Sequence, residues 1–397
     1  MTKLIYKKIF FLLLFFFSYF LIFSQEKQTE IDSSATPIIP VNKPDFAKNI
    51  NVVLDMRFDF LNHFENKTDP EDFTEFRNSI VALGISGKVH ERVSFTFRNR
   101  YNRETAVQSL DMLGGSIEMA YVDVSLSPKF NLQLGKMFAY FGGYEYEFNP
   151  LYVLEYNDIQ DNLLNYVTGL GVKYQLSDKH SFGFQALNSR TMTFEDLFEG
   201  NVSEKVKEPK WPLALVANWE GSFFDGLFET KYSFSRFRIA KGHATTTAFT
   251  LGNKFEYKNF KLMYDFNYDY EELDTKGIIT NISEEENIAN DVIYIEHWIR
   301  SEYDFSEHFT GLLTLMTSNA YTKNIPQENS GTNRIRTSYG VVPTIYYKPF
   351  KNLNLQFYAA YIGRFYKYSN FAHQQLDVSD YTTGEFRLGL IAPLLIL

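Results

Sequence analysis

The sequence predicts an all-β fold, a transmembrane antiparallel up-and-down β-barrel of about sixteen strands. Apolar and polar residues alternate with a period of two along most of the chain, as they do in strands that have two different faces. The connections between these segments are alternately short and long. Beyond residue 25 no apolar run approaches the ~20 residues that a membrane-spanning helix needs. An open sheet edge is too costly in lipid, so strands that cross it must close into a barrel.

The composition agrees with an exported membrane barrel. Aromatic residues form 17% of the 397 residues, as 27 Tyr, 39 Phe and only 3 Trp, and aromatic rings are enriched where barrels meet the two membrane interfaces. The chain has no cysteine, so no disulfide bond stabilises it. A formal net charge of -9 without any basic run predicts no nucleic-acid partner.

The N-terminal residues 1–24 are predicted to be a signal peptide. Lysines precede an apolar run at 9–23, and Ser24 is a small residue suited to cleavage. The alternative is an uncleaved anchor helix. Residues 25–46, which are rich in proline, are predicted to be a flexible periplasmic segment, and residues 47–397 the barrel in the outer membrane.

The strand prediction follows the alternation segment by segment. The clearest strand runs from Phe260 to Glu271, where aromatic and aliphatic side chains alternate with charged and amide side chains. The predicted strands lie near 50–60, 76–89, 93–102, 116–127, 130–138, 166–176, 181–189, 211–220, 227–236, 246–257, 260–271, 291–303, 308–318, 335–347, 353–364 and 381–391. Pro343 lacks the amide that the ladder needs, so a bulge is predicted there. The alternative fold is a soluble multi-sheet β protein, in which the apolar faces would pack on each other.

The connections predict which ends of the strands face outward. The long ones lie near 63–74, 103–115, 139–165, 190–210, 237–245, 272–290, 319–334 and 365–380. Outer-membrane barrels have short turns on the periplasmic side and long loops on the extracellular side. An even number of strands also returns both termini to the periplasm.

Strand parity predicts which charged side chains face the lumen. The predicted basic wall comprises Arg57, Arg98, Arg100, Arg336, Arg364 and Arg387. These arginines lie on the first three and last three strands, which become neighbours when the barrel closes. The predicted acidic wall comprises Glu256, Asp265, Asp269, Glu271, Glu296 and Glu302. The long loop at 139–165 adds the acidic residues Glu145, Glu147, Glu155, Asp158 and Asp161.

Opposed walls of this kind would create a transverse field that orients polar solutes, and arginine can bind carboxylate or phosphate in a bidentate manner. The alternative is that these charges pair with each other and only make the wall wettable.

The block at 118–143 carries a family resemblance. Its Tyr-Val-Asp strand, Ser-Pro-Lys turn, Leu-Gly-Lys strand and Phe-Gly-Gly sequence resemble the phosphate-selective porin O and P family, in the branch of Bacteroidetes-type outer membranes. The segments 169–174 and 182–190 resemble it too. The resemblance implies a sixteen-stranded porin, often trimeric, whose third long loop folds into the lumen as a constriction. It implies lipid, lipopolysaccharide and small polar solutes as partners, and no cofactor.

The solute remains open from the sequence. The family name favours anions such as phosphate, whereas the constriction loop of this chain is acidic, and no family ligand can be matched residue by residue. The predicted function is a passive diffusion channel for small polar or charged solutes. The alternative is a structural or interaction barrel, an adhesin or a component of a secretion or uptake assembly, acting through the loops near 190–210 and 272–290.

No enzyme is predicted. The nearest arrangement to a hydrolase is His297 with Ser301, four residues apart on one strand, or ~13 Å at the strand rise. A nucleophile and its base need hydrogen-bond reach, ~3 Å. The acidic run at 284–286 could bind Ca²⁺ or be a solvated loop tip.

Overall fold

The computed structural model describes residues 49–67, 70–103, 110–198, 206–242, 245–283, 288–323 and 334–397. The predicted signal peptide and periplasmic segment lie outside the described residues. The acidic run at 284–286 lies outside them as well.

Sixteen antiparallel strands form one closed barrel, in the order of the sequence. They are β1 (Ile50–Glu65), β2 (Phe73–His90), β3 (Val93–Arg100), β4 (Ile117–Ser127), β5 (Phe130–Phe138), β6 (Tyr166–Ser177), β7 (His180–Asn188), β8 (Leu213–Phe223), β9 (Phe228–Arg238), β10 (Thr245–Tyr257), β11 (Phe260–Leu273), β12 (Asn290–Asp304), β13 (Phe309–Thr322), β14 (Arg334–Tyr347), β15 (Gln356–Tyr368) and β16 (Tyr381–Leu395). The predicted up-and-down barrel is confirmed.

The first and last strands close the barrel. β1 pairs with β16 from Val53 opposite Leu395 to Glu65 opposite Thr383. Beyond this ladder the amide of Val52 donates to the carbonyl of Leu397 at 3.1 Å. Both ends of the barrel sequence therefore lie at the short-turn rim, and no backbone edge faces lipid.

Each strand has an apolar outer face and a polar inner face. On β11 the inward Asp265 and Asn267 are each 1% exposed, while the outward Leu262 is 36% exposed. Large outward side chains recur around the barrel, among them Phe58, Leu134, Leu170, Phe184, Leu215, Phe234, Leu251, Ile299, Leu315, Ile345, Phe357 and Leu388. These exposed side chains form an apolar outer band, as expected for strands that cross a membrane.

Aromatic pairs lie near the rims of the barrel. Phe309 stacks on Tyr347 at the short-turn rim, with ring centroids 4.9 Å apart. Tyr366 stacks on Tyr381 at 4.4 Å near the long-loop rim, but this pair faces the lumen, where Arg336 and Arg364 lie over the ring of Tyr366. The outward pair at the short-turn rim suits a membrane interface.

The bulge predicted at Pro343 is wrong. Pro343 lies opposite Leu313, and the register toward β15 is the same before and after it, although the pairs at Val342 and Pro343 are missing. The strand therefore keeps its register at Pro343, whose side chain faces outward. A bulge occurs instead near Ile335, where Ala320 pairs with Arg336 and Tyr321 with Arg334.

The long loops contain all the helices of the described residues. These are α1 (Tyr144–Glu147), a 3-10 turn (Pro150–Tyr152), α2 (Asp158–Asp161), α3 (Phe194–Leu197), α4 (Ile278–Ser283) and α5 (Asn370–Gln375). Among the described residues, none of these helices has the length and apolar character to cross a membrane.

Candidate functional site

The connection between β5 and β6, residues 139–165, folds into the lumen and is called the lumen loop from here on. Its neck is closed by a hydrogen bond from the amide of Ala139 to the carbonyl of Asn165, at 3.1 Å. Gln185 on β7 holds the same neck, because its side chain accepts from the amide of Tyr140 at 2.7 Å and donates to the carbonyl of Phe138 at 3.0 Å. These hydrogen bonds hold both strands of the neck at the point where the loop leaves the wall.

Two glycines let the lumen loop pass close to the opposite wall. Gly142 and Gly143 have φ angles of 72° and 87°, which other residues rarely adopt. A Cβ on Gly143 would lie 2.9 Å from Thr250 Cγ2 and 3.0 Å from Asp265 Oδ2. A Cβ on Gly252 of β10 would lie 2.8 Å from the Cα of Gly143. Close approach of the two backbones thus depends on the absence of side chains on both sides.

The predicted basic wall anchors the middle of the lumen loop. Arg57 on β1 donates to the carbonyl of Val153 at 2.7 Å and to the carbonyl of Pro150 at 3.3 Å. Arg387 on β16 donates to the carbonyl of Leu154 at 3.1 Å. These guanidinium groups satisfy carbonyls that the irregular loop leaves unpaired.

A carboxylate clamp holds α2. Asp158 binds Arg336 on β14 and Arg364 on β15, and it accepts a hydrogen bond from Ser338 Oγ at 2.9 Å. Burial alone would raise the pKa of Asp158, but Arg336, Arg364 and Ser338 together bring it below its ordinary value. Asp158 is therefore a charged group held between two arginines of the wall.

The bulge in β14 contributes to this clamp. Ile335 is the extra residue, and its side chain is buried in the same apolar cluster as Ile159 of α2. The next residue, Arg336, reaches Asp158. The bulge thus turns two successive side chains toward the lumen loop.

Buried carboxylates receive backbone amides of the lumen loop. Asp265 accepts from the amide of Glu145 at 2.7 Å, and Glu296 accepts from the amide of Ile159 at 2.6 Å. Glu145 itself accepts from the amide of Asn157 at 2.7 Å. One oxygen of each of these three carboxylates has no hydrogen-bond partner among the described residues.

Burial raises the pKa of Glu145 well above its ordinary value, and the neighbouring Glu296 raises it further. Glu145 is 0% exposed, so solvent does not offset these effects. Burial therefore disfavours the charged form of this carboxyl relative to a carboxyl in water.

The remaining residues of the predicted basic wall are also engaged. Arg98 lies 2.8 Å from both Asp55 and Glu118. Arg100 donates to the carbonyl of Ser79 at 2.8 Å. The alternation of residues did not place Glu118 in the lumen. A bulge in the pairing of β3 with β4 lies between its neighbours Ile117 and Met119 and turns Glu118 inward.

Most of the predicted acidic residues have basic neighbours. Lys231 binds Glu147, Lys276 binds Asp269 and Glu271, Arg300 binds Glu302, Lys254 binds Glu256, and Arg364 lies 3.4 Å from Glu155. The sequence analysis did not single out these lysines and Arg300. The parity rule would have placed Lys231, Lys254 and Arg300 inside the lumen, because they lie on strands. Asp161 forms no ion pair with any described residue.

The predicted separation into a basic and an acidic wall is therefore not maintained at the level of the lumen loop. The loop lies between the walls, and its carboxylates and carbonyls reach the arginines, while its amides reach the acidic residues of β11 and β12. Charges pair over short distances instead of facing each other across open solvent. The alternative of mutual pairing describes this part of the lumen better.

The other sequence-level candidates have simpler roles. His297 Nδ1 lies 2.9 Å from Tyr264 OH, and Ser301 Oγ lies 3.4 Å from the carbonyl of Leu313. His297 and Ser301 therefore do not hydrogen-bond to each other, as the base and the nucleophile of a hydrolase would. In the described parts of the chain, no group of three or more His, Asp or Glu side chains is arranged to hold a metal ion.

Known proteins resemble this chain in sequence and in fold. The sequence model described as phosphate-selective porin O and P matches residues 48–390. The outer membrane channel DcaP of Acinetobacter baumannii has a TM-score of 0.59 at 11% identity, over 87% of this chain and 96% of that chain. OprB of Pseudomonas putida has 0.54 at 11% identity, over 87% and 94%, and OmpF of Salmonella typhi has 0.53 at 10% identity, over 86% and 98%. Identities this low show a shared fold alone. No curated protein matches the sequence.

Proposed function

Because the chain belongs to the phosphate-selective porin O and P family, we propose that it is a diffusion channel that favours small cations and neutral polar molecules over anions. The chain is an outer-membrane porin, and its family and closed barrel are those of a channel rather than of an enzyme. The finer proposal concerns the solute.

One observation supports this preference. Each arginine of the predicted basic wall forms an ion pair with a carboxylate within 4.0 Å. By contrast, Asp161 has no described ion-pair partner, and Glu155 and Asp158 share the single guanidinium of Arg364. A guanidinium that is already paired exerts little net attraction on a passing anion, whereas an unpaired carboxylate attracts cations.

The test is the zero-current potential of the purified protein in a planar bilayer across a KCl gradient. We expect the sign of a cation-selective channel. The sign of an anion-selective channel would contradict the proposal and would favour phosphate and other anions as solutes, as the family name implies. The control is the same measurement at high ionic strength, where screening should weaken the preference.

The proposed preference for cations should change with pH, because Glu155 gains its negative charge near neutral pH. Burial raises the pKa of Glu155 to about 7, even though Arg364 opposes the shift. The carboxyl is therefore neutral in acid and ionises as the pH rises through neutrality. We expect cation preference to increase between about pH 6 and 8.

The Glu155→Gln variant should lack the step in zero-current potential that this carboxyl causes. Asp178→Asn is the matched control, because Asp178 is an exposed carboxylate on the short turn between β6 and β7. A step that persists unchanged in Glu155→Gln would show that a different group titrates.

We further propose that the porin is a homotrimer. The supporting feature is an apolar groove of about 760 Å³ on the outer face, lined by Pro343, Ile345, Tyr361, Phe386 and Leu388. The rest of the outward band would contact lipid, and the long-loop rim would contact lipopolysaccharide.

Native mass spectrometry of the protein in detergent should give the mass of a trimer. Leu388→Lys should shift this mass toward the monomer, because it places a charge in the groove. Leu251→Lys is the control, since Leu251 is also outward but lies on β10. A monomeric mass for the unmodified protein would exclude the trimer.

A second candidate function is the interaction barrel with a filled lumen. The observation in its favour is the extent of the lumen loop, which contacts residues of β1, β2, β7 and β9 to β16. A folded, heat-modifiable barrel without any conductance would favour this function over the channel.

A further inference from the structure

We propose that a cavity at the extracellular end of the lumen binds small amphipathic organic cations, such as aryl-alkyl amines. The cavity lies between the lumen loop and the loops that follow β7, β9 and β11, and it is called the vestibule cavity below. This inference rests on the proposed cation preference and adds the class of solute and the place where it is held.

The vestibule cavity has the size of a small-molecule site. Its volume is about 440 Å³, within the ~300–1,000 Å³ typical of ligand pockets. Its lining comes from the lumen loop, the ends of β7, β9 and β11, and the start of β10. A solute entering from outside would meet this cavity before it reached the anchors of the lumen loop.

Part of the lining of the vestibule cavity is apolar. Phe141, Val167, Phe198, Phe237 and Ile239 line it, and all five belong to one buried cluster. The rings of Phe141 and Phe237 lie 5.3 Å apart between centroids. Such a surface suits an aromatic or aliphatic body, because its burial removes apolar area from water on both partners.

Another part of the lining of the vestibule cavity is acidic. Five carboxylates line it, namely Asp161, Asp196, Asp269, Glu271 and Asp274. Among the described residues of the lining the single cation is Lys276, whose side chain is 3% exposed and binds both Asp269 and Glu271. This lysine is therefore already engaged and is poorly placed to receive an anionic ligand.

Two of the five carboxylates are left for a ligand. Asp274 accepts the amides of Ile279 and Thr280 and the hydroxyl of Tyr294, at 3.0, 2.9 and 2.6 Å. Asp161 and Asp196 form no ion pair with any described Lys, Arg or His. Their charge can therefore be neutralised by an ammonium group.

A buried hydroxyl completes the site. Thr246 lines the vestibule cavity and is only 6% exposed, yet its Oγ1 has no hydrogen-bond partner among the described residues. A buried polar atom without a partner is uncommon and unfavourable. A ligand that carries N–H donors next to an apolar body would supply the missing partner.

The test is isothermal titration of the full-length protein in detergent with phenethylamine and, separately, with phenylacetate. The two probes share the ring but carry opposite charges. We expect saturable binding of phenethylamine and none of phenylacetate at the same concentrations. Asp161→Asn should weaken phenethylamine binding about tenfold, as expected for the loss of a charge-assisted hydrogen bond.

Two further variants sharpen the test. Thr246→Val keeps the side-chain shape and removes the hydroxyl, so it should weaken phenethylamine binding several-fold. Asp178→Asn removes an exposed carboxylate at the opposite end of the barrel and should leave binding unchanged. Equal binding of both probes, or unchanged affinity in Asp161→Asn, would overturn the proposal.

Titration does not require conductance, so the two proposals can fail separately. A cation-selective channel that does not bind phenethylamine would overturn the vestibule site and leave the ion preference standing. An anion-selective channel that binds phenethylamine, with weaker binding in Asp161→Asn, would overturn the ion preference and leave the vestibule site standing.

Discussion

Replacing Asp158 by asparagine should increase the single-channel conductance several-fold and move the zero-current potential toward anion selectivity. Asp158 is the charged group that Arg336 and Arg364 hold in common. Its loss leaves Arg336 without its carboxylate partner and Arg364 with Glu155 alone, at 3.4 Å. Breaking a buried ion pair from one side costs ~3–5 kcal/mol in other proteins, so α2 should detach from the wall.

The other anchors of the lumen loop are independent of Asp158. Arg57 and Arg387 bind carbonyls of residues 150–154, and Asp265 binds the amide of Glu145. The barrel and the neck of the loop should therefore stay intact in Asp158→Asn, and only the segment around α2 should move. Heat-modifiability on electrophoresis is the check that the barrel remains folded.

Asp178→Asn is the matched control for this experiment. It makes the same chemical change on the exposed short turn between β6 and β7, away from the lumen loop. Its conductance should remain close to that of the unmodified protein. If Asp158→Asn also leaves conductance and selectivity unchanged, the clamp does not set the width of the lumen.

Replacing Gly143 by valine should dislodge the neck of the lumen loop. A β-branched residue at a φ of 87° is strained by ~1–3 kcal/mol. The new Cβ would also meet Thr250 and Asp265 at 2.9 and 3.0 Å, which adds an overpacking cost of ~1–3 kcal/mol. The amide of Glu145 would then be drawn away from Asp265.

We expect Gly143→Val to show higher conductance and faster proteolytic cleavage within 139–165. Gly226→Val separates the two causes, because Gly226 has a φ of 88° while a Cβ there would meet nothing within 4 Å. This control carries the backbone strain without the collision. Similar behaviour of both variants would mean that close approach to β10 and β11 is unimportant.

The barrel could be predicted from the sequence because its cause is local. Alternation with a period of two is present in each segment, and segments such as Phe260–Leu273 show it without reference to the rest of the chain. The inward direction of Arg57, Asp265 and Glu296 follows from that alternation. Their direction could be predicted even though their partners could not.

The partners of these side chains depend on contacts between residues that lie far apart in the sequence. The path of the lumen loop decides that Arg364 meets Asp158 and that Glu296 meets the amide of Ile159, and no local pattern encodes that path. The bulges at Glu118 and Ile335 also break the parity on which the prediction relied. A sequence rule that counts alternate residues fails at the positions where an extra residue turns a side chain to the other face.

The anchoring of the lumen loop also dictates an order of assembly. Arg364 and Arg387 lie 206 and 233 residues after the loop atoms that they bind, on the last two strands of the barrel. The neck of the loop needs only β5 to β7, whereas its docking also needs β15 and β16. Contacts this far apart in sequence form slowly. Closing the barrel and narrowing its lumen therefore depend on the same C-terminal hairpin, because β16 also pairs with β1.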